Sequence, residues 1–473
     1  MANDKKEMVV IGGGPGGYTA AFMAADLGMD VTLIDPEENP GGVCLYRGCI
    51  PSKALLHAAK VISDAREAQK WGVFFDSPRI DLEALRKWKN DVVSKLTGGL
   101  GQLAGQRKVR HIKGKARFTS GNALKVAGND GGTLEIAFQN AIIATGSRAL
   151  VPRDMQIDSD RLMTSTQALA LPDLPESLLV IGGGYIGLEM GTAYAALGSK
   201  VTVVEMMPGL LAGVDADLVR ILSKRLADSF EDILLETRVA RMQPDGNGIT
   251  VSLEGKGDNG GERRFERVLA AVGRRPNAED LGLENTRVAV NEKGFIQVDT
   301  QQRTGEPSIF AIGDVAGEPM LAHKAFYEGR LAAEVASGRK SVRDMRAIPA
   351  VVFTDPEIAW AGLTEAEAKA RKVKHEVLRF PWAASGRALT LGRPDGLTKL
   401  LIDPDSEQIL GVGLAGSGVG ELIAEGVLAM ELGASVGDLG LSIHPHPTLT
   451  ETFKEAADMF HGTATHIHRK RRK

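Results

Sequence analysis

The stretch MVVIGGGPGGYTAAFMAADLGMDVTLID, residues 8–35, decides the fold. The apolar run Met8–Ile11 reads as a strand, and Gly12-x-Gly14-x-x-Gly17 follows it at once. A helical segment comes next, then a second apolar run, Val31–Ile34, that ends on Asp35. Each part has a physical task. Gly12 permits the tight turn, Gly14 lets backbone approach a pyrophosphate, and Gly17 lets helix and strand pack closely. The helix N-terminus faces the phosphates and Asp35 can accept from a ribose hydroxyl. A lone glycine motif is weak, but strand, helix, second strand and acid in register make a dinucleotide-binding unit.

Downstream, the pattern repeats. SLLVIGGGYIGLEMGTAYAALGSKVTVVE, residues 177–205, places Gly182-x-Gly184-x-x-Gly187 between strand and helix and closes the next strand with Glu205. Two such units predict two dinucleotides. Glu205 in the place of Asp35 suits the ribose diol of NAD and repels the extra phosphate of NADP. The residues after it, Met206-Met207-Pro208, bring no arginine.

Between the two units lies GGVCLYRGCIPSK, residues 41–53, with the only two cysteines, Cys44 and Cys49. The pair is expected in a tight loop that feeds a helix from Pro51 to about Gln69, with proline in the first turn. The helix's positive end favours a thiolate at Cys49. Two inert buried thiols would also satisfy the composition. Metal binding would need further soft ligands, and none stands at zinc-like spacing. Placement in one glycine-flanked loop, shortly after a nucleotide-binding turn, favours a redox pair.

The rest of the chain fills in around these motifs. Residues 81–105 predict a second helix that frays into glycines and pairs with the first on the sheet. Short strands from Val109 suggest an antiparallel meander returning to the sheet at Ala141–Ile143, closed by the turn Ala144-Thr145-Gly146-Ser147. Residues 237–270 repeat that meander, and Gly273 closes it. Leu171-Pro172-Asp173-Leu174-Pro175 marks a boundary. Ser308–Asp314 reads as a strand ending in Gly313-Asp314, with a helix from Ala316 onward. Asp314 and His323 on their own read as a helix-entry acid and a structural histidine. From Ile348, alternating strands and two helices predict an α+β unit. His446, five residues before Glu451, fits either a helix cap or an acid/base dyad.

The expected domains are residues 1–149, 150–275, 276–346 and 347–473. Length supports several cores: 473 residues exceed what one core holds. A net charge of −3 leaves no nucleic-acid footprint. No run approaches the length of a membrane span. The chain runs straight into its first strand with no room for a signal peptide, which argues for a cytoplasmic protein or one in an equivalent reducing space. The terminal HRKRRK reads as a solvated tail.

Together, GGVCLYRGCIPSK, the two glycine turns, the ATG turn at 144–146, AIGD at 311–314 and HPHPTLTE at 444–451 resemble the flavoprotein disulfide reductases, the class I pyridine nucleotide-disulfide oxidoreductases. The resemblance implies an α/β fold with two Rossmann-like dinucleotide-binding domains, for FAD and NAD, and a C-terminal α+β dimerisation domain. It implies FAD on Gly12, Gly14, Gly17, Asp35, Gly114, Thr145, Gly146, Ser147, Gly313, Asp314, Ala322 and His323. It implies NAD on Gly182, Gly184, Gly187, Glu205, Val239 and Gly273. Cys44 and Cys49 would form the redox disulfide, Lys53 would pair with Glu189 near the flavin, and His446 with Glu451 would be the acid/base dyad, supplied across a homodimer. The implied partner is a lipoyl domain of an acyltransferase or of a glycine-cleavage carrier; no metal is implied. The chain departs from the commonest pattern in one place: Tyr46-Arg47 stands where the family usually has Asn-Val.

Overall fold

The structure is a computed structural model and describes residues 5–469. Strand β1 (Lys5–Ile11) leads through helix α1 (Pro15–Asp26) to β2 (Val31–Ile34). The cysteine segment then forms two helices, α2 (Gly42–Arg47) and α3 (Cys49–Ala68), followed by α4 (Leu82–Gln106). Strands β3 (Arg110–Ile112), β4 (Gly114–Ser120), β5 (Ala123–Gly128) and β6 (Thr133–Ile143) complete this part. The sheet runs β3-β2-β1-β6 in parallel, while β5 and β4 continue it as an antiparallel meander. The meander therefore belongs to the same sheet.

A short strand, β7 (Ser147–Ala149), leaves this sheet for the second unit. There β8 (Leu162–Met163), α5 (Ser165–Ala170), β9 (Ser177–Ile181), α6 (Tyr185–Leu197), β10 (Lys200–Val204), α7 (Ala216–Ala227) and β11 (Asp232–Leu234) follow in order. Next come the meander β12 (Thr237–Asp245), β13 (Gly248–Gly255) and β14 (Gly261–Phe265), and the return strand β15 (Arg267–Ala270). The second sheet is parallel throughout, in the order β11-β10-β9-β15-β8. Strand β16 (Arg274–Pro276) pairs antiparallel with β7 and so staples the two units together. The chain then re-enters the first sheet: β17 (Ile309–Ala311) lies parallel to β6, and α8 (Ala322–Ala336) packs beside α1.

The last unit is one antiparallel sheet, β18 (Ala350–Val352), β19 (Glu357–Gly362), β20 (Glu376–Pro381), β21 (Leu397–Ile402) and β22 (Ile409–Gly416), in the order β18-β19-β22-β21-β20. Helices α9 (Glu365–Ala370) and α10 (Gly386–Thr390) interrupt the strands, and α11 (Val419–Leu432), α12 (Val436–Leu441) and α13 (Glu451–His461) follow them.

Four expectations need correction. Cys44 lies inside a short helix, with Gly48 breaking it from α3, and Cys49 itself opens α3. Helix α4 does not fray at its glycines. Gly101 lies where the Asn39 side chain presses in, 2.1 Å from the position a Cβ would take, so a small residue there admits the loop after β2. Helix α3 packs its buried Leu55 and Leu56 into the core of the second unit, beside Leu188 and Met190 of α6, which makes it a bridge between units. Helix α8 starts at Ala322, after Pro319, instead of at Ala316. Of the basic tail, residues 470–473 lie outside the described residues, while Arg469 donates to Glu376 at 2.7 Å.

The second and last units meet through charge. Lys399 on β21 is 1% exposed, and its ammonium lies 2.8 Å from Asp215, 3.0 Å from Asp217 and 2.9 Å from Glu365. Burial alone would raise the Glu365 carboxyl, but Lys369, Lys399 and Arg379 outweigh it and hold it down at about 2. Lys399→Met leaves these carboxylates without their buried cation and should lower the unfolding free energy in urea by about 3 kcal/mol. The acid limb of the same titration has a fixed sign. Glu365's share of stability is complete above its ordinary 4.5 and is lost as pH falls toward about 2. A Lys399→Met protein with unchanged urea midpoint and acid limb would show the cluster to be inert.

Candidate functional site

Both glycine turns are built by the same close approach. At Gly12, φ is +103° and a Cβ would stand 2.3 Å from the Ala144 carbonyl oxygen; at Gly182, φ is +108° and the matching distance to Ala271 is 2.5 Å. Each turn is thus pressed against the strand that returns to its sheet. The third glycines complete the wedge. A Cβ on Gly17 would lie 1.8 Å from the Gly12 oxygen, and one on Gly187 2.3 Å from the Gly182 oxygen. The acids close the turns: Asp35 accepts from the Gly13 amide at 2.6 Å and from Glu37 at 2.9 Å. Glu205 accepts from Gly183 and from Met207, both at 2.7 Å. Burial pushes the Asp35 carboxyl up, and the Gly13 amide, His111 and Arg47 oppose the shift.

A cavity of about 780 Å³ opens from the first turn. It runs past Gly12, Gly14 and Asp35, along Gly114, Thr145, Gly146 and Ser147, to Gly313, Asp314 and Ala322. Cys44, Cys49, Lys53 and Glu189 line its other side. The disulfide Cys44–Cys49 has its Cα atoms 4.8 Å apart. Cys49 is the first residue of α3, so the helix's positive end lies at its sulfur.

One turn into α3, the Lys53 ammonium donates to Glu189 Oε2 at 2.7 Å. Ser52 Oγ donates to the same oxygen at 2.9 Å, and the Phe353 amide to Oε1 at 3.1 Å. Lys53 also lies 4.4 Å from the centre of the Phe353 ring. At the far side, Ser147 Oγ donates to Asp314 at 2.5 Å and accepts from Arg274 at 2.7 Å. Thr145 Oγ1 donates to the Asn277 carbonyl at 2.7 Å.

The other sequence-predicted residues fall elsewhere. His323 is absent from the cavity wall; its Nε2 shares a 2.6 Å hydrogen bond with the Pro349 carbonyl and so joins α8 to the last unit. Val239 is buried in the core beneath the second sheet. Gly273 has φ +128° between β15 and β16. Residues 182–187, Glu205 and Gly273 surround the second turn, of which Tyr185 and Ile186 reach the cavity. His446 Nδ1–H donates to Glu451 at 2.9 Å, and Glu451 accepts from the Thr448 amide at 2.8 Å. Burial of Glu451 acts upward, but the Thr448 amide and His446 bring its carboxyl below the ordinary range. This dyad stands on the surface of the last unit and does not line the cavity of its own chain.

Sequence reasoning missed Ser52, Phe353, Arg274 and Tyr185. Ser52 could have been found, since it precedes Lys53 in the helix that faces Glu189. The Phe353 amide and Arg274 come from distant segments and carried no local signal.

The family comparison agrees with this architecture. Residues 6–329 match the pyridine nucleotide-disulphide oxidoreductases, and residues 348–457 match the dimerisation domain of the same enzymes. The chain belongs to this family and is an FAD-dependent oxidoreductase that uses NAD. The dimerisation domain supports a homodimer. Among its relatives are the dihydrolipoyl dehydrogenases of Vibrio cholerae, 47% identical over 98% of this chain and 97% of that one, and of Geobacillus stearothermophilus, 43% identical over 98% and 97%. Among solved structures, LpdA of Mycobacterium tuberculosis superposes with a TM-score of 0.88 at 28% identity, covering 95% of this chain and 99% of that one. The HOCl-induced flavoprotein disulfide reductase RclA of Escherichia coli follows with 0.84 at 29%, covering 96% and 99%. Among the described residues, no helix is long and apolar enough to cross a membrane.

The cavity fits an FAD: a turn bare of Cβ atoms, a helix N-terminus, an acid at the strand end and a disulfide at the other wall. Gly17→Ala drives a Cβ into the Gly12 carbonyl, so the purified variant should carry about tenfold less flavin. A fully yellow Gly17→Ala protein would show that the turn tolerates a side chain.

Proposed function

We propose that the chain is a dihydrolipoyl dehydrogenase, oxidising a protein-bound dihydrolipoyl group to lipoyl and reducing NAD to NADH. The observation that carries this reading is a disulfide, Cys44–Cys49, lining the same cavity as the first glycine turn. In this reading residues 1–149 and 276–346 hold FAD, 150–275 hold NAD and 347–473 form the dimer interface. Gly12, Gly14, Gly17, Asp35, Gly114 and residues 145–147 hold the first nucleotide with Gly313, Asp314 and Ala322. Gly182, Gly184, Gly187 and Glu205 hold the second.

The chain's own residues account for the thiol chemistry. His446 of one protomer takes a proton from the substrate dithiol, and the Glu451 carboxylate on Nδ1 steadies the resulting charge. The substrate thiolate attacks Cys44 Sγ; the Sγ–Sγ bond breaks and Cys49 leaves as a thiolate. The second substrate thiol passes its proton to Cys44 as its sulfur displaces that cysteine from the mixed disulfide, closing the lipoyl disulfide and leaving the enzyme with a Cys44 thiol and a Cys49 thiolate, two electrons richer. Cys49, at the N-terminus of α3, faces the cavity with that charge stabilised by the helix. Lys53, oriented by Glu189, adds a cation to the same wall. FAD and NAD, when bound, supply the two-electron relay from the cysteine pair to the nicotinamide.

The dyad lies outside its own chain's cavity, which supports an active site completed by a second copy. The dithiol belongs to a lipoyl domain of an acyltransferase or of a glycine-cleavage carrier. We place the enzyme in the cytoplasm, where such a dithiol stays reduced.

Steady-state rates should be high with dihydrolipoamide plus NAD and low with glutathione disulfide plus NADPH; the reverse order would move the chain to another reductase. His446→Gln should lower kcat with dihydrolipoamide by about 100-fold or more while flavin content stays unchanged. Turnover near that of the wild type would remove His446 from the reaction.

A further inference from the structure

Tyr46 and Arg47, the two residues between the cysteines that depart from the common pattern, are the last residues of α2. Both reach back to the loop at residues 36–41. Tyr46 Oη donates to the Asn39 carbonyl at 3.0 Å and accepts from the Asn39 amide at 3.2 Å. Arg47 pairs with Glu37, and the two side chains remain 39% and 25% exposed. Glu37 and Arg47 both line the cavity together with Asp35, at the end that the FAD reading gives to the adenosine. Glu37 is itself placed there by its amide, which donates to Asp35. The loop is therefore fastened to the redox helix at two points, one on each side of Glu38.

We propose that Tyr46 and Arg47 form a clasp that retains the adenosine half of FAD, with Arg47 and Glu37 as its closing pair and Tyr46 as its hinge pin. The inference rests on the FAD reading above and adds a role that Asn-Val at these positions would not supply. An ion pair this open contributes little in water. Covering it with a nucleotide removes solvent from one face and strengthens the attraction. Arginine suits the place because its planar guanidinium keeps donors free beyond those used on Glu37 and can lie along an aromatic face. The clasp positions the cofactor and touches none of the transferring sulfurs.

The test measures FAD release from the holoenzyme, read as flavin fluorescence regained after dilution into flavin-free buffer. Arg47→Val should release FAD about tenfold faster than the wild type, because it loses both the pair and the fork. Glu37→Gln and Tyr46→Asn should each speed release by a smaller factor, and Arg47→Lys should fall between wild type and Arg47→Val. Raising ionic strength should speed release from the wild type and leave Arg47→Val unchanged. Glu37→Gln keeps the size and shape of the side chain, so it keeps the test decisive if Arg47→Val misfolds. Release from Glu37→Gln and Arg47→Lys at the wild-type rate overturns the clasp, as does an Arg47→Val effect that neither Glu37→Gln nor Tyr46→Asn shares. A wild-type protein that holds no flavin would instead remove the FAD reading beneath it.

Discussion

The Glu189 carboxylate is the interaction on which the site depends. It is 3% exposed and takes three hydrogen bonds from two segments far apart in sequence: Ser52 and Lys53 on α3, and the Phe353 amide just after β18. An unpaired carboxyl group at that depth would be costly, so α3, α6 and the last sheet must meet there to supply its hydrogen-bond partners. That meeting fixes the direction of α3, and α3 carries Cys49 as its first residue. The ion pair thus sets where the disulfide stands against the cavity. The apolar side of the same contact, Leu55 and Leu56 among α6 residues, supplies the burial that holds the helices together.

Much of this architecture could be read in the sequence because the glycine turns leave little choice. Where a Cβ would meet a backbone oxygen at 2.3 Å or closer, as at Gly12 and Gly17, only glycine fits, and the strand and acid around the turn are spaced to match. The repeat at Gly182 and Glu205 followed from the same constraint. The expected Lys53–Glu189 and His446–Glu451 pairs are present as hydrogen bonds. The misses share another cause. Whether Cys44 lies in a loop or a short helix, which unit α3 packs on, and whether α4 survives its glycines are settled by tertiary neighbours, as Asn39 shows in pressing on Gly101. His323 was placed along the cofactor by its position in a motif. Its ring instead bonds to Pro349, a contact that no local pattern announces.

The same turn serves two differently exposed nucleotide sites, and the difference lies in what surrounds the acid. Each acid spends two acceptor positions on its own turn, through the amides of Gly13 and Glu37 or of Gly183 and Met207. In the proposed reading, what remains is for the ribose. At Asp35 the loop at 36–41 is tied down by α2 and the residue is 7% exposed. At Glu205 the segment 206–211 also returns, its Leu211 amide donating to the Gly183 carbonyl at 2.9 Å, but Met206 is 66% exposed beside the acid and Gly184 lies open at the head of α6. An enclosed turn suits a nucleotide that stays through many turnovers, and an open one suits a nucleotide that must leave after each. In the proposed reading these are FAD and NAD. In that reading the chain separates resident from exchanging cofactor by how deeply the acid and its turn are covered, while the recognition motif itself stays the same.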